Sequence, residues 1–277
     1  MVLNDDNRIQ SIRVSVSVPK PMLSEVSTAP DFMNKKLVSV FSQSNVSRAV
    51  KLMVDYNIGS VLVKDNAGLL GVFTERDLLS KVLARHRKLE EPILMEVMTP
   101  SFNELPRTAT LIDAAKIMTE KKGRLVVFEG SNPVGMVTAT DIVREIQRAG
   151  KPFDFTEAYS RSVSEVPPRA SVESIIQLMD LRRIGSVLVS EGRFSRGIFT
   201  ERDLLRSVLS PDFRMDEQVE NLATHHLIAA EEGINGLEAA EIMASHRIKR
   251  LPLKKEGEVC GIVTARDLVA GFANSSW

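Results

Sequence analysis

Four Thr-x-x-Asp pairs recur in one setting: Thr74 with Asp77, Thr138 with Asp141, Thr200 with Asp203 and Thr264 with Asp267. Each follows a glycine and two apolar residues, in GVFTERD, GMVTATD, GIFTERD and GIVTARD. At the start of a helix such a pair is a capping box: the threonine oxygen accepts a backbone N–H, and the acid reaches back to the N-cap amide. The same residues can do a second kind of chemistry. A helix N-terminus presents free amides and positive potential to a phosphate, and an acid beside it can accept from both hydroxyls of a ribose. Two features favour a ligand grip over caps alone. Glutamate closes a capping box better than aspartate, yet all four pairs use aspartate. Arg76, Arg202 and Arg266 stand at the second helical position, where the helix dipole disfavours a cation by ~0.3–1 kcal/mol. They are expected to meet an anion, or a carboxylate of another unit.

A basic feature lies one strand earlier. At the first position of a short apolar run, Ser60 and Ser186 occur within IGSVLV, while Arg124 and Arg250 hold the matching place before the second and fourth motifs. Alternating small and basic residues suit a cleft shared by two units, one wall leaving room and the other supplying charge. The segment HRIKRLPL, with His246, Arg247, Lys249 and Arg250, is the densest basic cluster at such a strand. Ser60, Ser186, Arg124, Lys249, Arg250 and Arg266 therefore join the four Thr-Asp pairs as candidate nucleotide-binding residues.

A repeat positions these residues. GVFTERDLLSKVL at 71–83 returns as GIFTERDLLRSVL at 197–209, identical at ten of thirteen positions, and Gly71, Gly135, Gly197 and Gly261 are spaced by 64, 62 and 64 residues. Each unit opens on an extended piece and a helix of apolar 3.6-residue period (VSRAVKLMVDY, LIDAAKIMTEK, VESIIQLMDLR, LEAAEIMASH). A short β-branched run, a breaker-rich turn and a second strand ending at the threonine follow, and a second helix starts there. This is an α/β (α+β) chain of four β-α-β-β-α units in two tandem pairs, with small mixed sheets packed together. The expected boundaries are an N-terminal extension at 1–30 and units at 31–88, 89–150, 151–212 and 213–277. A 60-residue unit buries too little surface to stand alone, so units 1 with 2 and 3 with 4 should pair sheet to sheet, divided near the polar stretch 147–159.

Other features are given structural readings. SIRVSVSV at 11–18 alternates apolar and polar residues, as a half-buried strand ahead of the first unit would. Met53, Met118, Met179 and Met243 fall at equivalent helix positions and read as core. The single cysteine, Cys260, excludes internal disulfides and a Cys-based zinc site. His225 and His226, adjacent on an expected strand, would point to opposite faces, so no metal is expected.

Lys plus Arg equals Asp plus Glu at 36 each, and aromatic residues make up only 5%. No long-range field then draws the chain to nucleic acid, and few rings are available to stack on bases. No apolar run reaches the ~18 residues of a membrane span, and no signal-peptide core precedes the repeats, so a cytoplasmic protein is expected. No Cys-His pairing, Gly-x-Ser-x-Gly or Walker loop is present. No enzyme is expected.

The unit length and the Gly-apolar-apolar-Thr-x-x-Asp motif resemble the CBS domain, which works in tandem pairs called Bateman modules. The resemblance covers roughly residues 30–275. It implies binding of an adenine nucleotide, AMP before ADP or ATP, as a regulatory ligand between paired units. The threonines and aspartates above would hold it, and no cofactor is implied. HRIKRLPL is similar to a His-Arg-Leu-Pro-type segment of the gamma subunit of AMP-activated protein kinase, which also has four such units. Here Lys249 replaces the histidine, and Gly123 stands at the matching place in unit 2. A homodimer or a regulated protein would read the signal. The alternatives are a ligand-free assembly protein whose motifs are caps only, and a binder of S-adenosylmethionine or another adenosyl compound.

Overall fold

The computed structural model describes residues 27–275 except 122 and 193. The strand expected at 11–18 lies outside the described residues. Four three-stranded sheets share one topology, in which the first strand runs parallel to the second and the second antiparallel to the third. The middle and last strands are Ser60–Lys64 and Leu69–Thr74, Leu125–Glu129 and Asn132–Val137, Ser186–Glu191 and Phe194–Thr200, and Arg250–Lys255 and Glu258–Thr264. A parallel pair needs a crossover. Helices Val46–Asp55, Leu111–Lys121, Val172–Leu181 and Gly236–His246 supply it. Their methionines Met53, Met118, Met179 and Met243 are buried, as their spacing requires.

Hairpin register then gathers the candidate residues. Ser60 faces Thr74, Ser186 faces Thr200, and Arg250 faces Thr264 across the antiparallel pairs. Directly opposed residues share a face, so Thr74, Thr200 and Thr264 each have the small or basic residue of their own hairpin beside them.

The closing helices differ between units. Those of units 2 and 4, Ala139–Ala149 and Ala265–Asn274, are regular. Unit 3 makes only Glu201–Ser207. Unit 1 makes a single turn, Glu75–Asp77, that widens into a π-type turn at Leu78–Val82 and tightens into a 3-10 turn at Leu83–Arg85.

Sheets join units within a module, and helices join units across modules. Leu62, Val72, Val126 and Met136 bring the sheets of units 1 and 2 face to face. One large core takes its helices from units 2 and 4, the other from units 1 and 3. The two modules therefore close on one another within a single chain. The stretch between them holds more than breakers: Phe153 and Phe155 are buried in the core of units 2 and 4. Phe153 stands edge-on to Phe272 with centroids 5.6 Å apart, and a Cβ on Gly236 would fall 2.3 Å from its ring. His225 and His226, expected on a strand, instead lie exposed in a loop. Among the described residues, no group of three or more His, Cys, Asp or Glu could hold a metal ion. None of the helices described is long and apolar enough to cross a membrane.

Candidate ligand site at the centre of the four units

All four Thr-Asp pairs cap their helices. The aspartate Oδ2 accepts from the threonine backbone N–H at 3.0 Å in unit 1, 2.9 Å in units 2 and 3, and 2.7 Å in unit 4. The second oxygen, Oδ1, separates the units. Thr99 Oγ1 donates to Asp77 Oδ1 at 2.8 Å, and Lys81 Nζ stands 2.7 Å from the same atom. Thr224 Oγ1 donates to Asp203 Oδ1 at 3.2 Å. Asp141 Oδ1 meets the exposed Arg144 at 3.3 Å, while Asp267 Oδ1 accepts no hydrogen bond among the described residues.

At the centre, a cavity of about 580 Å³ receives residues from every unit, within the ~300–1,000 Å³ typical of small-molecule sites. Of the candidates, Thr74, Thr138, Asp141, Thr264, Asp267, Ser60, Ser186, Arg124, Lys249, Arg250 and Arg266 line it; Asp77, Thr200 and Asp203 do not. An ion-pair lattice crosses it. Arg76 Nε lies 2.7 Å from Glu201, and Arg202 Nε lies 2.5 Å from Glu75, so units 1 and 3 exchange a cation each way. Two of the three arginines set against their own helix dipoles, Arg76 and Arg202, thus meet carboxylates of another unit. From unit 4, Lys249 reaches Glu75 at 3.3 Å and Arg250 reaches Glu201 at 3.0 Å. Arg124 donates to the Gly59 carbonyl at 2.9 Å.

The small residues of IGSVLV leave the room these cations need. A Cβ on Gly185 would sit 1.8 Å from an Arg250 nitrogen, and one on Gly59 would sit 3.1 Å from Lys249 Nζ. Arg266 makes no ion pair among the described residues. The sequence reading missed Glu75 and Glu201, although a signal was present: TERD carries glutamate where TATD and TARD carry Ala139 and Ala265.

Cations outnumber carboxylates here. Eight Arg or Lys and four Asp or Glu line the cavity among the described residues, although the chain as a whole is neutral. The ionisation of the groups reflects the imbalance. Burial pushes the Glu75 carboxyl up, but Lys249, Arg202, Arg124 and Arg250 together hold it below its ordinary value. Lys249 is lowered as well, which for a cation works against the charged form. Burial pushes its ammonium down, and Glu75 does not compensate because Arg202, Arg124 and Arg250 crowd it. One carboxylate with four cations gains more than one cation with one carboxylate. Burial also lowers Arg124 and raises Asp267, the latter against the hydrogen bonds from Thr264. Among the described residues, three buried atoms in the cluster, Glu75 Oε1, Glu201 Oε1 and Arg124 Nε, have no hydrogen-bond partner. The Arg202 and Arg76 nitrogens lie near the two glutamate oxygens, but no N–H is aligned on them. A cavity of this kind can hold an anion and, beside Asp141 or Asp267, a diol.

A model of the CBS domain matches four stretches of the chain, residues 29–84, 94–148, 157–210 and 219–274. Protein MJ1225 of Methanocaldococcus jannaschii is 23% identical over 275 residues, covering 87% of this chain and 96% of that one. The 33.4 kDa protein of a ribosomal RNA operon in Thermofilum pendens is 26% identical over 195 residues, covering 64% of this chain and 63% of that one. Inosine-5'-monophosphate dehydrogenase of Aquifex aeolicus is 35% identical over 106 residues, which is 38% of this chain and 21% of the enzyme. The crystal structure of MJ1225, described as a candidate archaeal homolog of g-AMPK, matches with a TM-score of 0.77 at 20% identity, covering 89% of this chain and 100% of that one. A conserved protein of Pyrococcus horikoshii matches with a TM-score of 0.63 at 23% identity, covering 88% and 98%. These structural likenesses establish a shared fold.

Proposed function

The chain belongs to the CBS-domain family, and from that premise we propose that it is a regulatory sensor which binds an adenine nucleotide in its central cavity and signals to a partner protein. CBS-domain pairs commonly bind adenosine ligands and are regulatory. One observation supports a nucleotide over other adenosyl compounds: a surplus of cations faces the central cavity in a chain with no net charge. A phosphate gains from Lys249, Arg250 and Arg266, whereas the sulfonium of S-adenosylmethionine gains nothing from them. AMP is the first choice, with ADP and ATP as larger anions of the same class. The nucleotide acts as a regulatory ligand rather than a cofactor, and the chain is read as non-catalytic. It can bias the arrangement of the units only through its differential affinity for two states. The readout is a regulated protein or a second copy of the chain. Because the helical faces already pack within one chain, a homodimer would use another surface.

The test is calorimetric titration of the whole chain with AMP, ADP, ATP, S-adenosylmethionine and deoxy-AMP. Saturable micromolar AMP binding, about −8 kcal/mol, with deoxy-AMP much weaker, is expected. Heat from S-adenosylmethionine alone would move the reading to a sulfonium ligand. Silence from all five would leave the motifs as helix caps in an assembly protein.

A further inference from the structure

We infer that the four units hold two ligands, not four: units 2 and 4 take a nucleotide, and units 1 and 3 have sites closed by side chains of the protein itself. This rests on the nucleotide reading above. Four residues occupy one place in the pseudo-symmetric pattern, because each forms the same two-way backbone bridge to a hairpin: Thr99 to Val72, Thr224 to Ile198, Asn34 to Met136 and Ser160 to Ile262. Where that residue is threonine, its hydroxyl donates to the Oδ1 of the motif aspartate. Where it is Asn34 or Ser160, it lines the cavity and leaves the aspartate alone.

A carboxylate offers about four lone-pair sites. Asp77 uses all four, on the Thr74 amide and hydroxyl, the Thr99 hydroxyl and Lys81. Asp203 uses three, on the Thr200 amide and hydroxyl and the Thr224 hydroxyl. A ribose diol needs two acceptors, and neither aspartate borders the cavity. Asp141 and Asp267 do border it. Asp141 also has three sites in use, but the third, on Oδ1, is held by Arg144, whose exposed side chain a diol can displace, and among the described residues Asp267 has its Oδ1 open.

The phosphate end is closed in the same two units. The first helical residue is Glu75 in unit 1 and Glu201 in unit 3, each a buried carboxylate already among the cations. In units 2 and 4 it is Ala139 or Ala265, at the head of a helix of eleven or ten residues. A phosphate entering unit 1 or 3 would have to displace a carboxylate from its ion pairs. One entering unit 2 or 4 meets the positive end of a regular helix and the cation surplus. Arg124, whose Nε is buried without a partner, stands ready on that wall.

The experiment is calorimetric stoichiometry with AMP on the full chain, repeated on the double variant Asp141→Asn, Asp267→Asn. Asparagine keeps the side-chain shape, and circular dichroism checks that the variant is folded. The expected result is two AMP per wild-type chain and at least a tenfold weakening at both sites in the variant. Three or four AMP per wild-type chain overturns the inference while leaving the nucleotide reading intact, and so does undiminished binding in the double variant. Should the variant not fold, the wild-type stoichiometry alone still decides. Absence of binding by every adenosine ligand sinks the nucleotide reading and this inference with it.

Discussion

Asp267 shows how much a single carboxylate can decide. Its motif partner was evident from spacing alone, and its cap forms as expected. What spacing could not supply is the burial that pushes its carboxyl up. The ionised group accepts from two ribose hydroxyls far better than the protonated one, which turns one oxygen into a donor and loses the charge assistance. AMP affinity should therefore fall as pH drops through the raised Asp267 value, and Asp267→Asn should flatten that dependence; dissociation constants measured from neutrality down to about pH 4 would show it. The stability sign is the opposite. The native state binds the extra proton above the unfolded value of 3.8, so this group's contribution falls as pH rises through that window. A bound diol would offset that cost.

Between elements, near-identical sequence takes two shapes. TERDLLSKVL breaks into a short turn, a π-type turn and a 3-10 turn, whereas TERDLLRSVL makes one α-helix. Lys81 marks the difference, since it ties Asp77 to the Met98 carbonyl and Thr99, and unit 3 has Ser207 at that place. Helix starts were readable because capping chemistry is local. Helix continuation was not, because it depends on residues about twenty positions away. The inter-module stretch teaches the same lesson. Its breakers suggest a plain linker, but Phe153 inside it is a core residue. Phe153→Ala is expected to cost ~3–5 kcal/mol, the usual value for a buried phenylalanine, read as a lowered denaturant midpoint. A change under 0.5 kcal/mol, the scale of surface substitutions, would mean the stretch is only a spacer.

Over the whole molecule, the central lattice joins units 1, 3 and 4 through Glu75, Arg202 and Lys249. Glu75→Gln leaves those cations facing one another, and breaking a buried pair costs ~3–5 kcal/mol. The lower end is expected, since Lys249 and Arg202 keep some contact with water. Glu75 has a lowered folded pKa, so its contribution is present above the unfolded value of 4.5 and lost as pH falls through the folded one. Denaturation curves of wild type and Glu75→Gln should lie well apart at neutral pH and converge in acid. Curves with equal separation at every pH would show that the Glu75 charge does not hold the units together.

The sequence by itself determined the four units, the order of their strands and helices, the capped helix starts and eleven of the residues around the cavity. Those features follow from local periodicity, turn chemistry and a repeat that can be counted. Only the tertiary structure decided which helices pack across modules, that Glu75 and Glu201 hold the central cations, and which aspartates keep an oxygen for a ligand. Whether a carboxylate is open depends on a threonine about twenty residues away brought to it through space. A neutral composition likewise conceals eight cations folded around one cavity.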